Sequence, residues 1–207
     1  CDRRQRQMCI RDRQTYDIVI VGGTPGGLTT ALAAAKLGKT SVILERTQHI
    51  GGLPSNGLGA TDIVTRAATT GLFREFTCRI KDYYKKIYGV TSIQYQRCDD
   101  GFRFEPSVAE QVFTDWLGEY KDLITVLTMR QFDSSPHNIK KVDDKIVKIN
   151  VLNRDNNTQE EYQGKIFIDA TYEGDLAAAA GVPFRVGREG KNEFGEPGAG
   201  SVYKYWH

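Results

Sequence analysis

One hinge, Val21-Gly22-Gly23-Thr24-Pro25-Gly26-Gly27, constrains this chain more than any other stretch. Before it stands Ile18-Val19-Ile20-Val21, an apolar run long enough for a strand buried on both faces. After it, Leu28–Leu37 reads as a tightly packed alanine-rich helix that Gly38 stops, and Thr40–Leu44 reads as a second strand with Glu45 at its tip. Strand, glycine turn, helix, strand and acid, in that order, form the βαβ unit that grips the pyrophosphate and ribose of a dinucleotide.

The six-residue fingerprint of such turns aligns with Gly22, Gly23, Thr24, Pro25, Gly26 and Gly27. The first glycine makes the tight turn and the last lets the helix approach the strand, while Thr24 takes the place of the middle one. Threonine is a good helix N-cap, and proline suits the first helical position because its missing N–H has no partner there. A well-formed helix start keeps the free amides and the dipole that attract a phosphate. The Thr24 hydroxyl has two open roles, pointing at the pyrophosphate or only capping the helix. Glu45 follows the first glycine by 23 positions, close to the roughly 20 expected of a carboxylate that binds a ribose hydroxyl. Its plainer role is a solvated acid. Arg46 comes next and suits a 2′-phosphate, but the acid beside it argues against a phosphorylated ribose.

Glycines recur at 51, 52, 57 and 59, in His49-Ile50-Gly51-Gly52-Leu53 and Asn56-Gly57-Leu58-Gly59-Ala60. Glycine brings backbone amides close to a ligand, so this loop is expected to pass the pyrophosphate and run on toward the reactive ring; the alternative is a flexible connection. His49 reads as structural.

Residues 69–88 carry apolar positions 72, 73, 76, 80, 83, 84 and 87, the spacing of an amphipathic helix. After a loop through Gly101, a second helix starts at Pro106 with Val108, Val112, Phe113, Trp116, Leu117 and Tyr120 on one face. Arg103 and Glu105, in the loop between, are expected to pair with one another. Leu123–Met129 is expected to return to the parallel sheet. Lys145–Leu152 and Gln159–Gln163 read as an antiparallel meander around the turn at 153–157. Lys165–Asp169 reads as a separate buried strand running into Ala170-Thr171, small residues at a strand's carboxyl end, before a short helix, Leu176–Ala180.

Composition limits the alternatives. Of the chain's 207 residues, 40% are hydrophobic and 26% charged, as in a globular protein. No apolar run approaches the roughly 18 residues needed to span a bilayer, and no secretory signal is visible, so a cytoplasmic setting is expected. Residues 1–13 carry five arginines and two aspartates, leaving −1 for 14–207 out of the formal +2. This segment is read as a leader foreign to the domain rather than a nucleic-acid arm, because no basic stripe continues behind it. Cys1 and Cys9 lie in it; Cys78 and Cys98 have no close-spaced partner, so neither a metal site nor a CxxC motif is indicated. From Pro183 the chain is glycine-rich and polar to Tyr205-Trp206-His207, and the domain is expected to continue past it.

The stretches YDIVIVGGTPGGLTTALAAAKLGKTSVILER, HIGGLPSNGLGATD, GLFREF, FRFEPSVAE and IFIDATYEGDLAAAAGVPFRVGRE together resemble the FAD-dependent oxidoreductase family whose turn is G-G-T/S-P-A/G-G, with a glutathione-reductase-like FAD domain. The resemblance implies an α/β, Rossmann-like FAD-binding domain in residues 14–207: a parallel sheet, a helical excursion over 63–121 and an antiparallel β-meander over 139–163. It implies that Gly22, Gly23, Thr24, Pro25, Gly26 and Gly27 hold the FAD pyrophosphate, with Glu45 on the adenosine ribose and Arg46 beside it. Gly51, Gly52 and Leu53 continue along the pyrophosphate, and Gly57, Leu58 and Gly59 come near the flavin. Ala170 and Thr171 stand for the family's Ala-Thr-Gly signature, with Tyr172 replacing its glycine.

The expected activity is flavin-mediated hydride or electron transfer with a small organic substrate and an electron donor or acceptor, both unidentified; neither nucleic acid nor a membrane span is expected. A nicotinamide-binding dehydrogenase and a non-catalytic flavin-binding fragment are the alternatives. No general base is identified; Asp62, Arg103 and Glu105 are candidates only because they flank the glycine loop or Phe104-Glu105-Pro106.

Overall fold

The computed structural model describes residues 15–201; the leader at 1–13, with Cys1 and Cys9, and the segment Tyr205-Trp206-His207 lie outside the described residues. The chain opens with β1 (Thr15–Val21), α1 (Pro25–Lys36) and β2 (Ser41–Leu44). Then come α2 (Gly71–Tyr88), α3 (Ile93–Arg97) and α4 (Pro106–Gly118). Five strands follow, β3 (Ile124–Leu127), β4 (Arg130–Gln131), β5 (Ile139–Val142), β6 (Lys145–Asn153) and β7 (Thr158–Asp169), and then α5 (Asp175–Ala179).

The strand order is β3-β2-β1-β7-β6-β4, with β5 also paired to β6. The first four strands are mutually parallel, with Val21 opposite both Leu44 and Asp169. The β4, β5 and β7 pairings to β6 are antiparallel. This is the expected α/β sheet, and it explains the unbroken apolar run in β1. Alternate residues go to opposite faces. Ile20 and Ile43 join α1, α2 and α4 in one core, whereas Val19, Val21, Val42 and Leu44 join Ile149, Val151, Phe132 and Leu176 in the other. Burying each such side chain stabilises by about 1.5–3 kcal/mol.

The two amphipathic helices lie where their spacing puts them. Phe76 of α2 stacks on Phe113 of α4 at 4.6 Å between centroids, and Trp116 is fully buried.

Three expectations need correction. The N-terminal helix begins at Pro25 with Thr24 as its cap, as the chemistry of the turn leads one to expect, so the span Leu28–Leu37 read from the apolar pattern omits its first turn. The loop before Gly101 contains α3, capped by the Ser92 hydroxyl, which accepts from the Tyr95 amide. Most consequentially, Gln159–Gln163 and Lys165–Asp169 are one strand, β7, which pairs antiparallel with β6 through its first half and parallel with β1 through its second. Gly164 marks a close approach rather than a break: a Cβ there would sit 2.7 Å from Val19 Cγ2. The second half of β7 is also not wholly buried, since Ile166 is 53% exposed.

Candidate functional site

The glycine turn is fixed from both sides of the sheet. Gly22 has φ +105°, and a Cβ there would lie 2.6 Å from Ala170 O, so the ends of β1 and β7 meet at a distance only glycine allows. Gly27 packs against Gly22 O, where a side chain would collide. Thr24 is extended at the N-cap, and its hydroxyl accepts from Gly27 N at 3.5 Å and donates to Ala170 O at 2.7 Å. The hydroxyl is thus committed to cap and sheet, and of its two open roles the structure supports the capping one. The Thr24 and Gly26 amides take no partner among the described residues. They leave two donors at the helix start, where the dipole favours an anion.

Glu45 is buried at the tip of β2. Its Oε2 accepts from Gly23 N at 2.8 Å, and its Oε1 accepts from Thr47 N and Thr47 Oγ1, both at 2.8 Å. Of roughly four lone-pair positions on a carboxylate, three are used and one remains on Oε2. The neighbouring Arg46 pairs with Glu173 at 2.9 Å, both half exposed.

The glycine loop attaches to this turn through Gly51 N, which donates to Gly23 O at 2.7 Å. Gly52 has φ +57°, and any side chain there would strike the Tyr172 hydroxyl. That hydroxyl accepts from Leu53 N at 2.8 Å, so the chain after β7 reaches across to the loop after β2.

Between these segments lies a cavity of about 290 Å³, bordered by Gly22, Thr24, Glu45, Gly52, Leu53 and Tyr172. Arg46, Thr47, Arg130, Phe132, Thr171 and Asp175 extend it toward the outer strands. Burial and the neighbouring Glu173 and Asp169 carboxylates push the Asp175 carboxyl up from its ordinary value. Arg130 is fully engaged, by Glu160 through Nε and Nη2 and by Asp155 and Thr128 O through Nη1. It shapes the wall rather than offering a free charge.

Of the residues anticipated from sequence, Gly22, Thr24, Glu45, Arg46, Gly52, Leu53 and Thr171 face this cavity. Gly23, Gly27, Gly51 and Ala170 do not border it but tie its turn and loop together, and Pro25 and Gly26 border a separate cavity beside α1. Gly57, Leu58 and Gly59 lie apart from it. Gly59 O accepts from Phe104 N at 2.8 Å, and Gly59 borders a second cavity of about 320 Å³ with Tyr84, Arg97, Arg103 and Glu105. Thr47, Arg130, Phe132, Tyr172, Glu173 and Asp175 were missed. Tyr172 and Glu173 carried a signal, directly after Ala170-Thr171; Arg130 and Phe132 reach the site only through the strand order.

The candidate acid–base residues separate. Arg103 and Glu105 do not pair: Arg103 lies 3.6 Å from Asp99, whereas the Glu105 carboxylate accepts from the Tyr84 hydroxyl, which in turn accepts from Glu105 N at 3.0 Å. Asp62 is exposed. His49 contacts Glu110 at 3.0 Å, a structural tie between loop and α4. Cys98 is buried, which pushes its thiol up, and both Cys78 and Cys98 are free.

A family model described as FAD dependent oxidoreductase matches residues 17–205. Over 41 residues the chain is 51% identical to the soluble pyridine nucleotide transhydrogenase of Mycobacterium bovis (strain BCG / Pasteur 1173P2), covering 20% of this chain and 9% of that protein. Over 122 residues it is 27% identical to the dihydrolipoyl dehydrogenase of Corynebacterium glutamicum, covering 54% and 25%. The matched stretches thus span a quarter or less of those relatives. Among solved structures, L-proline dehydrogenase from P. horikoshii superposes with TM-score 0.54 at 15% identity, over 85% of this chain and 58% of that one. The glycerol-3-phosphate dehydrogenase from Bacillus halodurans, complexed with FAD, superposes with TM-score 0.52 at 11% identity, over 85% and 39%. At such identities the structural likeness shows the fold. No helix among the described residues is long and apolar enough to cross a membrane.

Proposed function

The chain belongs to the FAD dependent oxidoreductase family, and from that premise we propose that residues 14–207 form the nucleotide-gripping part of a flavoenzyme. The complete protein passes a hydride or electrons between a small organic substrate and a further donor or acceptor. FAD supplies the redox chemistry when bound, and the protein supplies binding, orientation and electrostatics.

The observation that carries this reading is the Gly22-Gly23 turn. Its backbone is held by Glu45 Oε2, backed by Ala170 O and set against a Thr24-capped helix start with unpaired amides. A cradle in which a Cβ would collide, next to unpaired N–H groups, fits a pyrophosphate. The last lone pair of Glu45 fits a ribose hydroxyl, and Gly52 lets the loop backbone run close alongside. Arg46 answers phosphate charge once it exchanges its Glu173 partner. Gly59, beside the second cavity, and its neighbours Gly57 and Leu58 serve the flavin end.

The visible spectrum of the purified chain tests this reading. Oxidised flavin absorbs near ~450 nm as a property of the cofactor, so the chain should be yellow or become so with added FAD. A colourless chain that ignores FAD and binds NAD instead would favour the nicotinamide reading.

A further inference from the structure

We propose that Tyr172 is a cofactor-binding residue whose hydroxyl, itself held by the Leu53 amide, donates a hydrogen bond to the FAD pyrophosphate. This deepens the reading of the cavity as the pyrophosphate site and rests on it.

Several donors of turn and loop are spent, which leaves the Thr24 and Gly26 amides at the helix start. Gly23 N is given to Glu45, Leu53 N to Tyr172 and the Thr24 hydroxyl to Ala170 O. Tyr172 Oη, by contrast, accepts from Leu53 at 2.8 Å, and its own proton has no acceptor among the described residues. A hydroxyl that accepts one hydrogen bond becomes a better donor for the next. Tyr172 therefore passes the polarity of the Leu53 amide outward by one side chain, into the cavity it borders with Gly22, Thr24 and Gly52.

The position is built. Asp169 Oδ1 accepts from Thr171 N at 3.0 Å and from Thr171 Oγ1 at 2.7 Å, and Thr171 Oγ1 accepts from Gly174 N at 2.8 Å. The backbone on both sides of Tyr172 is thereby pinned. Glycine at position 52 leaves the phenol room to reach Leu53, since a Cβ there would strike its hydroxyl. Tyr172 is 57% exposed, so its contact with Leu53, rather than burial, holds the ring in place. The adjacent Glu173–Arg46 pair is half exposed and contributes little by itself.

Tyr172→Phe removes the hydroxyl and keeps the ring. Affinities of the unaltered chain and the variant for FAD, ADP and adenosine separate a pyrophosphate contact from a packing effect. Loss of one hydrogen bond to a charged group should weaken FAD and ADP about ten- to a hundredfold and leave adenosine unchanged, while the ligand-free urea midpoint falls only slightly because the Leu53 amide that loses its acceptor is exposed. Equal FAD and ADP affinities in the two proteins overturn the proposal, as does an equal loss for adenosine. An unaltered chain that binds neither FAD nor ADP overturns the cavity reading first, and the Tyr172 role with it.

Discussion

Glu45 Oε2 lies 2.8 Å from the Gly23 amide, so the acid read from sequence as a sugar ligand is also the brace of the glycine turn. The same carboxylate holds Thr47 through Oε1. One residue thus joins the turn after β1 to the turn after β2 before any cofactor arrives.

Glu45→Ala is therefore expected to destabilise the ligand-free protein. The buried Gly23 amide loses its charged acceptor, at about 1–3 kcal/mol for a buried unpaired donor, whereas exposed Thr47 keeps water and His49 O; the expected loss is about 2 kcal/mol, read from urea denaturation without FAD. Weaker FAD binding by this variant does not by itself establish a ribose contact. A sharper comparison uses ADP and its 2′- and 3′-deoxy analogues. If Glu45 touches a ribose hydroxyl, the unaltered chain discriminates against one analogue and Glu45→Gln does so less. Equal discrimination by both proteins removes the ribose role.

Thr24→Ala is expected to cost about 2 kcal/mol. About 1 kcal/mol comes from the lost helix cap, and a similar amount from leaving Ala170 O without its donor. Thr24→Ser keeps the hydroxyl and should lose less than half as much. If serine is as damaging as alanine, the methyl group matters and the hydrogen bonds do not.

Asp17 gives a pH signature. Lys165 Nζ donates to it at 2.7 Å and Thr40 N at 3.0 Å, and these contacts lower its carboxyl from the ordinary 3.8 to about 2. A carboxyl lowered in the folded state binds protons less readily there than in the unfolded chain. Its contribution is complete above about pH 4 and fades as pH falls toward 2. The stability gap between the unaltered chain and Asp17→Asn should therefore be open at pH 6 and narrow toward pH 2, as urea midpoints will show. A gap of constant size across that range assigns the effect to hydrogen-bond shape rather than charge.

What was legible in the sequence is what local chemistry decides. Thr24-Pro25 announces a helix start whatever the fold, and the spacing in α2 and α4 selects the faces that meet at Phe76 and Phe113. What was not legible depends on partners distant in sequence. Gly164 looks like a strand breaker until Val19 is known to lie against it. Arg103 and Glu105 look like a pair until Asp99 and Tyr84 take them separately. Tyr172 was visible only as a departure from a glycine; its bond to Leu53, 119 positions earlier, exists because β7 ends beside β1.

Gly26 and Gly27 are adjacent and looked equivalent in the fingerprint, yet their alanine variants are expected to change stability in opposite directions. A Cβ on Gly26 would meet nothing nearer than Thr24 Oγ1 at 3.6 Å, an ordinary contact, and the residue is exposed in the first turn of α1. Alanine there limits the unfolded chain and suits the helix, so Gly26→Ala should stabilise by about 0.5 kcal/mol with FAD affinity kept. A Cβ on Gly27 would instead land on Gly22 O and press on Ala170 Cβ and Ile20 Cγ2 at 3.2 Å. Because Gly22 O belongs to the turn itself, relief requires moving the helix start away from β1, which opens the cradle. Gly27→Ala should cost about 3 kcal/mol and abolish FAD binding together with stability. Thermal unfolding with and without FAD reads both effects. A Gly27→Ala protein that unfolds at the normal temperature and still takes up flavin removes the close helix–strand approach as the basis of the grip.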